Sequence, residues 1–143
     1  MSAEAFFTEE QKTAIRQAIV DAEEKTSGEI RVHVDEQCKG DVIQQAEKVF
    51  GNLKMHETKE RNGVLFYLAV NSRVFAIYGD QGIHAKVGNG FWDEISKQME
   101  KLFQQGKFTE GLVEGIAKAG DQLAKHFPHQ SDDKNELTNE ISF

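Results

Sequence analysis

The stretch GVLFYLAV, residues 63–70, decides the fold. Val64 to Val70 is apolar or aromatic at every position, so an extended chain here has to be covered on both faces. It is far too short to cross a bilayer. The reading is a central strand. Asn71-Ser72 follows as a tight turn, and Arg73 to Tyr78 returns as an antiparallel partner that Gly79-Asp80-Gln81-Gly82 ends. Upstream, Ile30, Val32 and Val34 alternate with Arg31 and His33, which is the period of a strand over Glu29 to Val34.

Helical patterns surround these strands. Glu9 to Lys25 places Ile15, Ala18, Ile19 and Ala22 on one stripe, with Thr8 and Gln11 spaced as a capping box and Ser27-Gly28 as the stop. Asp41 caps a helix to Leu53 whose inner face is Ile43, Ala46, Phe50 and Leu53. Lys54 to Asn62 is polar and reads as a loop. Two helices close the domain, Phe91 to Gln105 and a Thr109-capped segment to His126. The order α-β-α-β-β-α-α makes the first two strands parallel through a right-handed crossover. The expected architecture is α/β: a three-layer αβα sandwich with a small mixed central sheet and helices on both faces. Residues 1–128 form the domain, and 129–143 are expected to be a flexible acidic tail.

The net charge is −7, of which −3 lies in residues 128–143. An acidic body lacks the Lys/Arg excess that replaces phosphate counterions, which argues against sequence-independent nucleic-acid binding and against anionic membrane surfaces. It suits divalent cations. The single cysteine, Cys38, excludes an internal disulfide and a Cys-rich zinc site. The N-terminus has neither the basic nor the apolar region of a signal peptide, so the expectation is a cytoplasmic chain with no membrane anchor.

The topology brings three glycine-bearing loops to one end of the sheet: Ser27-Gly28-Glu29, Arg61-Asn62-Gly63 and Gly79-Asp80-Gln81-Gly82. They carry Glu29, Asn62 and Asp80, and the helix start at Phe91-Trp92-Asp93 adds Asp93. Carboxylate, amide and backbone oxygens are the ligands of hard cations. The plainer reading is that Asp80 forms a turn and Glu29 ends a strand in solvent, since no contiguous calcium loop exists here. His126-Phe-Pro-His129 straddles a helix stop and reads as a C-terminal cap rather than a ligand pair. Gly79 to Ile83 lacks the Lys-Ser/Thr of a phosphate loop.

These loops carry a resemblance. The segments TSGEIRV (26–32), RNGVLFY (61–67), RVFAIYGDQGI (73–83) and FWD (91–93), then GKFTEGL (106–112), Gly115-Ile and His126-Phe-Pro, form an ordered series. That series resembles the TPM domain family, named for thylakoid lumen, photosystem II repair and nematode receptor-modulator proteins. The resemblance covers Ile15 to Pro128. It implies an αβα sandwich that binds divalent cations, calcium above all, at strand-end loops. Carried onto this chain, it implies Glu29, Asn62, Asp80 and Asp93 as metal ligands, with calcium, or magnesium, as the cofactor. Some plant members are described as acid phosphatases; others are assembly factors or receptor modulators. The two functions implied are therefore a calcium-binding accessory domain that works through a protein partner, and a metal-assisted acid phosphatase. For the second, Ser27 and Thr58 are the nucleophile candidates near the site, and Arg61 is the one cationic clamp. Many members carry a signal peptide and a membrane anchor, so the expectation here is the short free-standing bacterial form.

Overall fold

A computed structural model describes residues 2–88, 90–130 and 136–143. In chain order the elements are α1 (Ala3–Phe6), α2 (Glu9–Glu23), β1 (Glu29–Asp35), α3 (Val42–Asn52), β2 (Gly63–Ala69), β3 (Val74–Gly79), α4 (Gln81–Lys86), α5 (Asp93–Gln104) and α6 (Phe108–His126). The sheet order is β1-β2-β3. β1 pairs parallel to β2 with Glu29 opposite Gly63, and β3 pairs antiparallel to β2 with Gly79 opposite Val64.

Every residue of β2 is buried. Its alternate side chains belong to two cores. Val64, Phe66 and Leu68 join Ile30, Val32 and Val34 against α2, α5 and α6. Leu65, Tyr67 and Ala69 face Ala46, Val49 and Phe50 of α3, with Met55 beneath them. The mixed α/β class is as expected, with helices on both faces of a three-stranded sheet. Among the described residues no helix is long and apolar enough to cross a membrane.

Local chemistry starts most helices where expected. Thr8 Oγ1 accepts Gln11 N–H at 3.1 Å and Gln11 Oε1 accepts Thr8 N–H at 2.9 Å, closing the capping box of α2. Asp41 accepts Gln44 N–H at 2.9 Å to start α3. Two expectations shift. α6 begins at Phe108 with Lys107 at its N-cap and no side-chain cap, so Thr109 lies inside the helix rather than capping it. The turn after β3 continues into α4, because Asp80 caps it.

The expectation of an unattached tail from residue 129 does not describe residues 136–143, which lie against the body. Asp132, Asp133 and Lys134 fall outside the described residues. Ser142 bridges His33 in parallel: Ser142 N–H donates to Val32 O, and Val34 N–H donates to Ser142 O, each at 2.9 Å. Ile141 is buried in the core between the sheet and α2, and Leu137 packs on the opposite core. The reason is the edge of β1. An edge strand carries outward N–H and C=O groups that need partners, and the two apolar tail residues flank a backbone able to supply them. Ile141→Ala should therefore cost about 2 kcal/mol and lower the melting temperature by roughly 4–8 °C. Ile43→Ala, at a position expected on the inner face of α3 but 49% exposed, should stay within about 0.5 kcal/mol of wild type. Equal melting temperatures for the two variants would mean that the tail does not dock in solution.

Candidate functional site

The loops before β1 and β2 and after β3 interlock at one end of the sheet. Glu29 N–H donates to Asn62 O at 3.3 Å, Asp80 N–H to Gly63 O at 2.9 Å, and Gly82 N–H to Arg61 O at 2.9 Å. Thr58 shapes the middle loop, its Oγ1 accepting Asn62 N–H at 3.2 Å and its carbonyl accepting Arg61 N–H at 3.2 Å. Arg61 takes a left-handed backbone, φ +52°. A methyl group on Gly82 would meet Glu60 O at 2.2 Å and Arg61 O at 2.5 Å. Only glycine lets α4 start against this loop. Gly82→Ala should destabilise the fold by about 1–3 kcal/mol, read as a lower denaturant midpoint; an unchanged midpoint would show that the loop yields freely.

Three of the four sequence-derived ligands come to this edge, each engaged differently. Asp80 is buried and meets Arg61 as a fork: Oδ2 to Nε at 2.7 Å and Oδ1 to Nη2 at 3.0 Å. Its Oδ1 also accepts Gln81 N–H at 2.8 Å. That pairing pushes the Arg61 guanidinium further above its already high range and makes Asp80 a strut between β3 and the middle loop. Glu29 is buried and accepts the backbone N–H of Glu136 from the tail. Asn62 is 1% exposed. Its Nδ2 is 3.4 Å from Ser27 Oγ and 3.5 Å from Glu60 Oε2, and its Oδ1 has no partner among the described residues. Ser27 donates to Glu60 Oε2 at 2.9 Å. Asp93, the fourth, is exposed in the first turn of α5 and makes its turn with Gly90, N–H to carbonyl at 3.1 Å. No hydrogen bond joins it to Glu29, Asn62 or Asp80 among the described residues. Among the described residues, no three His, Cys, Asp or Glu side chains gather there.

Sequence reasoning passed over Glu23 and the Arg61–Asp80 pair, and left Glu60 as one charge of a solvated loop. Glu23 ends α2, and its Oε2 accepts Ile30 N–H at 2.9 Å from β1. Burial, reinforced by the neighbouring Glu29, pushes its pKa up to about 9. Burial raises Glu29 as well, opposed by the hydrogen bond from Glu23. Glu23 therefore keeps the proton and donates it to the Glu29 carboxylate. No sequence signal marks this pair, because the two residues lie on different elements and meet only through the fold.

A proton held more tightly in the folded than in the unfolded state stabilises the fold fully below the unfolded value of about 4.5. That contribution is lost as pH rises toward about 9. Glu23→Gln keeps an acceptor for Ile30 and a donor for Glu29 without ionising. Its melting temperature should decline less than that of wild type between pH 5 and pH 9, leaving the variant the more stable at pH 8.5. Parallel melting curves across that range would refute the shared proton.

The chain matches the TPM domain over residues 1–122. It is similar to the BA42 protein of the psychrophilic bacterium Bizionia argentinensis, solved by NMR. The two share 52% identity over 96% of this chain and 94% of that one, with a TM-score of 0.90. The N-terminal domain of a protein from P. gingivalis aligns at TM-score 0.69 and 18% identity over 87% of this chain and 82% of that one. That of cg2496 from Corynebacterium glutamicum aligns at 0.65 and 13% over 94% and 81%. These last two share the fold alone. No curated protein matches. By the family match and by its likeness to the BA42 protein, the chain belongs to the TPM domain family.

Proposed function

We propose that this chain is a divalent-cation-binding accessory module, with calcium favoured over magnesium, that works through a protein partner. The observation that supports it is Asn62 Oδ1, a buried acceptor left open where three loops meet. A buried oxygen without a partner costs about 1–3 kcal/mol, and such an atom calls for an ion or a water. Ser27 Oγ and the Glu60 carboxylate stand beside the same amide. Glu29, whose backbone N–H donates to Asn62 O, adds a carboxylate on the neighbouring loop. Asp80 enters only if Arg61, whose side chain is 38% exposed, swings into solvent. An irregular oxygen set of this kind suits calcium, which accepts six to eight oxygens in flexible geometry, better than magnesium, which demands an octahedron.

The phosphatase reading is supported less. Ser27 has a carboxylate beside it, but two of the three guanidinium nitrogens of Arg61, Nε and Nη2, are committed to Asp80. A calcium titration separates the readings. Affinity should be modest, on the order of 10⁻⁵ to 10⁻³ M. At a hundredfold excess over Kd, binding adds about 2.7 kcal/mol and raises the melting temperature by roughly 5–11 °C. Amide shifts should centre on Gly28, Gly63 and Gly82. Asn62→Ala and Glu60→Gln should each weaken binding at least tenfold, about 1.4 kcal/mol, while Asp93→Asn changes it little. Calcium that moves neither the melting temperature nor those amides overturns the proposal. Aryl phosphate hydrolysis that Ser27→Ala abolishes would move the assignment to the phosphatase.

A further inference from the structure

The outer edge of β1 carries a second polar row, apart from the loop cluster. His33 Nε2 lies 2.7 Å from Asp35 Oδ1, Tyr67 donates its hydroxyl to Asp35 Oδ2 at 2.6 Å, and the His33 ring stacks on Tyr67 with centroids 5.9 Å apart. Asp35 and Tyr67 thus hold the imidazole in place, leaving Nδ1 free to read whatever lies along the edge. Two residues upstream, Arg31 sends Nη2 to the same edge while its Nε is buried with no partner among the described residues.

What lies there is a short segment of the chain itself. Glu140 offers its carbonyl to Arg31 Nη2 at 3.2 Å and its carboxylate to Arg16 at 3.7 Å. Ile141 fills the core. Ser142 makes both backbone bonds to β1 and sets its Oγ 2.9 Å from His33 Nδ1. The Phe143 ring lies 5.4 Å from Lys12 Nζ. This is strand addition: main-chain bonds hold the segment and alternate side chains are read by pockets and charges.

From these contacts we infer that the outer edge of β1 is an acceptor for an extended peptide of the pattern acidic–aliphatic–Ser/Thr–aromatic, presented by a protein partner. Residues 140–143 fill it from within. Three observations favour a partner of that chemistry. The occupant displays the pattern, with Arg16 matched to its acid and Arg31 bound to its backbone carbonyl. The acceptor lies inside the family match, residues 1–122, whereas the occupant lies outside it, so the edge is a property of the domain. And among the described residues the occupant makes two backbone-to-backbone bonds along a seven-residue strand, so a longer partner strand can pair further and displace it. This inference supplies the surface for the partner named in the proposed function and rests on that reading.

The probe is the synthetic peptide ELTNEISF, residues 136–143, added to the isotopically labelled full chain. Ser142→Pro removes the N–H to Val32 and the hydroxyl to His33, releasing the internal segment. A site occupied internally shows an apparent affinity reduced by its free fraction. The released chain should therefore bind at least tenfold more tightly than wild type, with shifts at the amides of Ile30 to Asp35. A scrambled peptide should produce none. Ile141→Asp releases the segment by a different route and should behave the same way. Absence of those shifts in both released chains, or equal binding by released and wild-type chains, overturns the inference. Calcium shifts at Gly28, Gly63 and Gly82 are read in the same samples. Their loss with peptide binding intact fails the cation reading alone, and the reverse fails only the acceptor.

Discussion

β2 is apolar on both faces, and a strand of that kind is stable only between two covers. The three-layer arrangement follows from this. α2, α5 and α6 bury one set of alternate side chains, and α3 with Met55 buries the other. β1 and β3 can then be amphipathic, since each has β2 on one side to supply half of its backbone partners. The start of β2 is tied down by backbone: Gly63 to Asp80, and Asn62 to Glu29. The candidate site is therefore set by the strand that anchors the core, and its loops inherit the rigidity of that core.

Rigid burial of polar groups at this end creates an electrostatic problem that the fold meets in two ways. Asp80 keeps its charge and gains a guanidinium fork and a helix N-terminus. Glu23 and Glu29 have no cation among the described residues, so a shared proton replaces one charge. Burying a lone carboxylate is far costlier than neutralising it. Asn62 follows neither route: its Oδ1 remains open.

The other end of β1 shows the same economy applied to backbone. Glu23 covers the Ile30 N–H at one point of the edge, and Ser142 covers Val32 and Val34 at the next. The edge is thereby closed against indiscriminate pairing. The closure along Val32 and Val34 is short, and the cations and imidazole beside it read side chains as well as backbone. An edge protected in this manner can serve as a selective acceptor rather than an aggregation hazard.

The periodic patterns alone determined the elements and their order. A double-faced apolar run has one stable environment, capping residues act within three positions of their targets, and a β-α-β unit has one handedness. They also determined that Glu29, Asn62 and Asp80 share a sheet end, because that follows from strand direction. Tertiary structure decided everything that depends on which distant groups meet. The sequence presents Arg61 as a free clamp, Asp93 as a fourth ligand and the acidic tail as solvated. In the fold Arg61 is bound to Asp80, Asp93 is exposed in α5 with no hydrogen bond to the other three among the described residues, and residues 136–143 lie along β1. Glu23 sits on an exposed-looking helix end in the pattern, yet becomes the proton holder of a buried pair. Pairings of this kind are set by distances between elements, and no local periodicity encodes them. A short polar segment docks when a strand edge elsewhere needs its backbone, a demand that its own composition does not express.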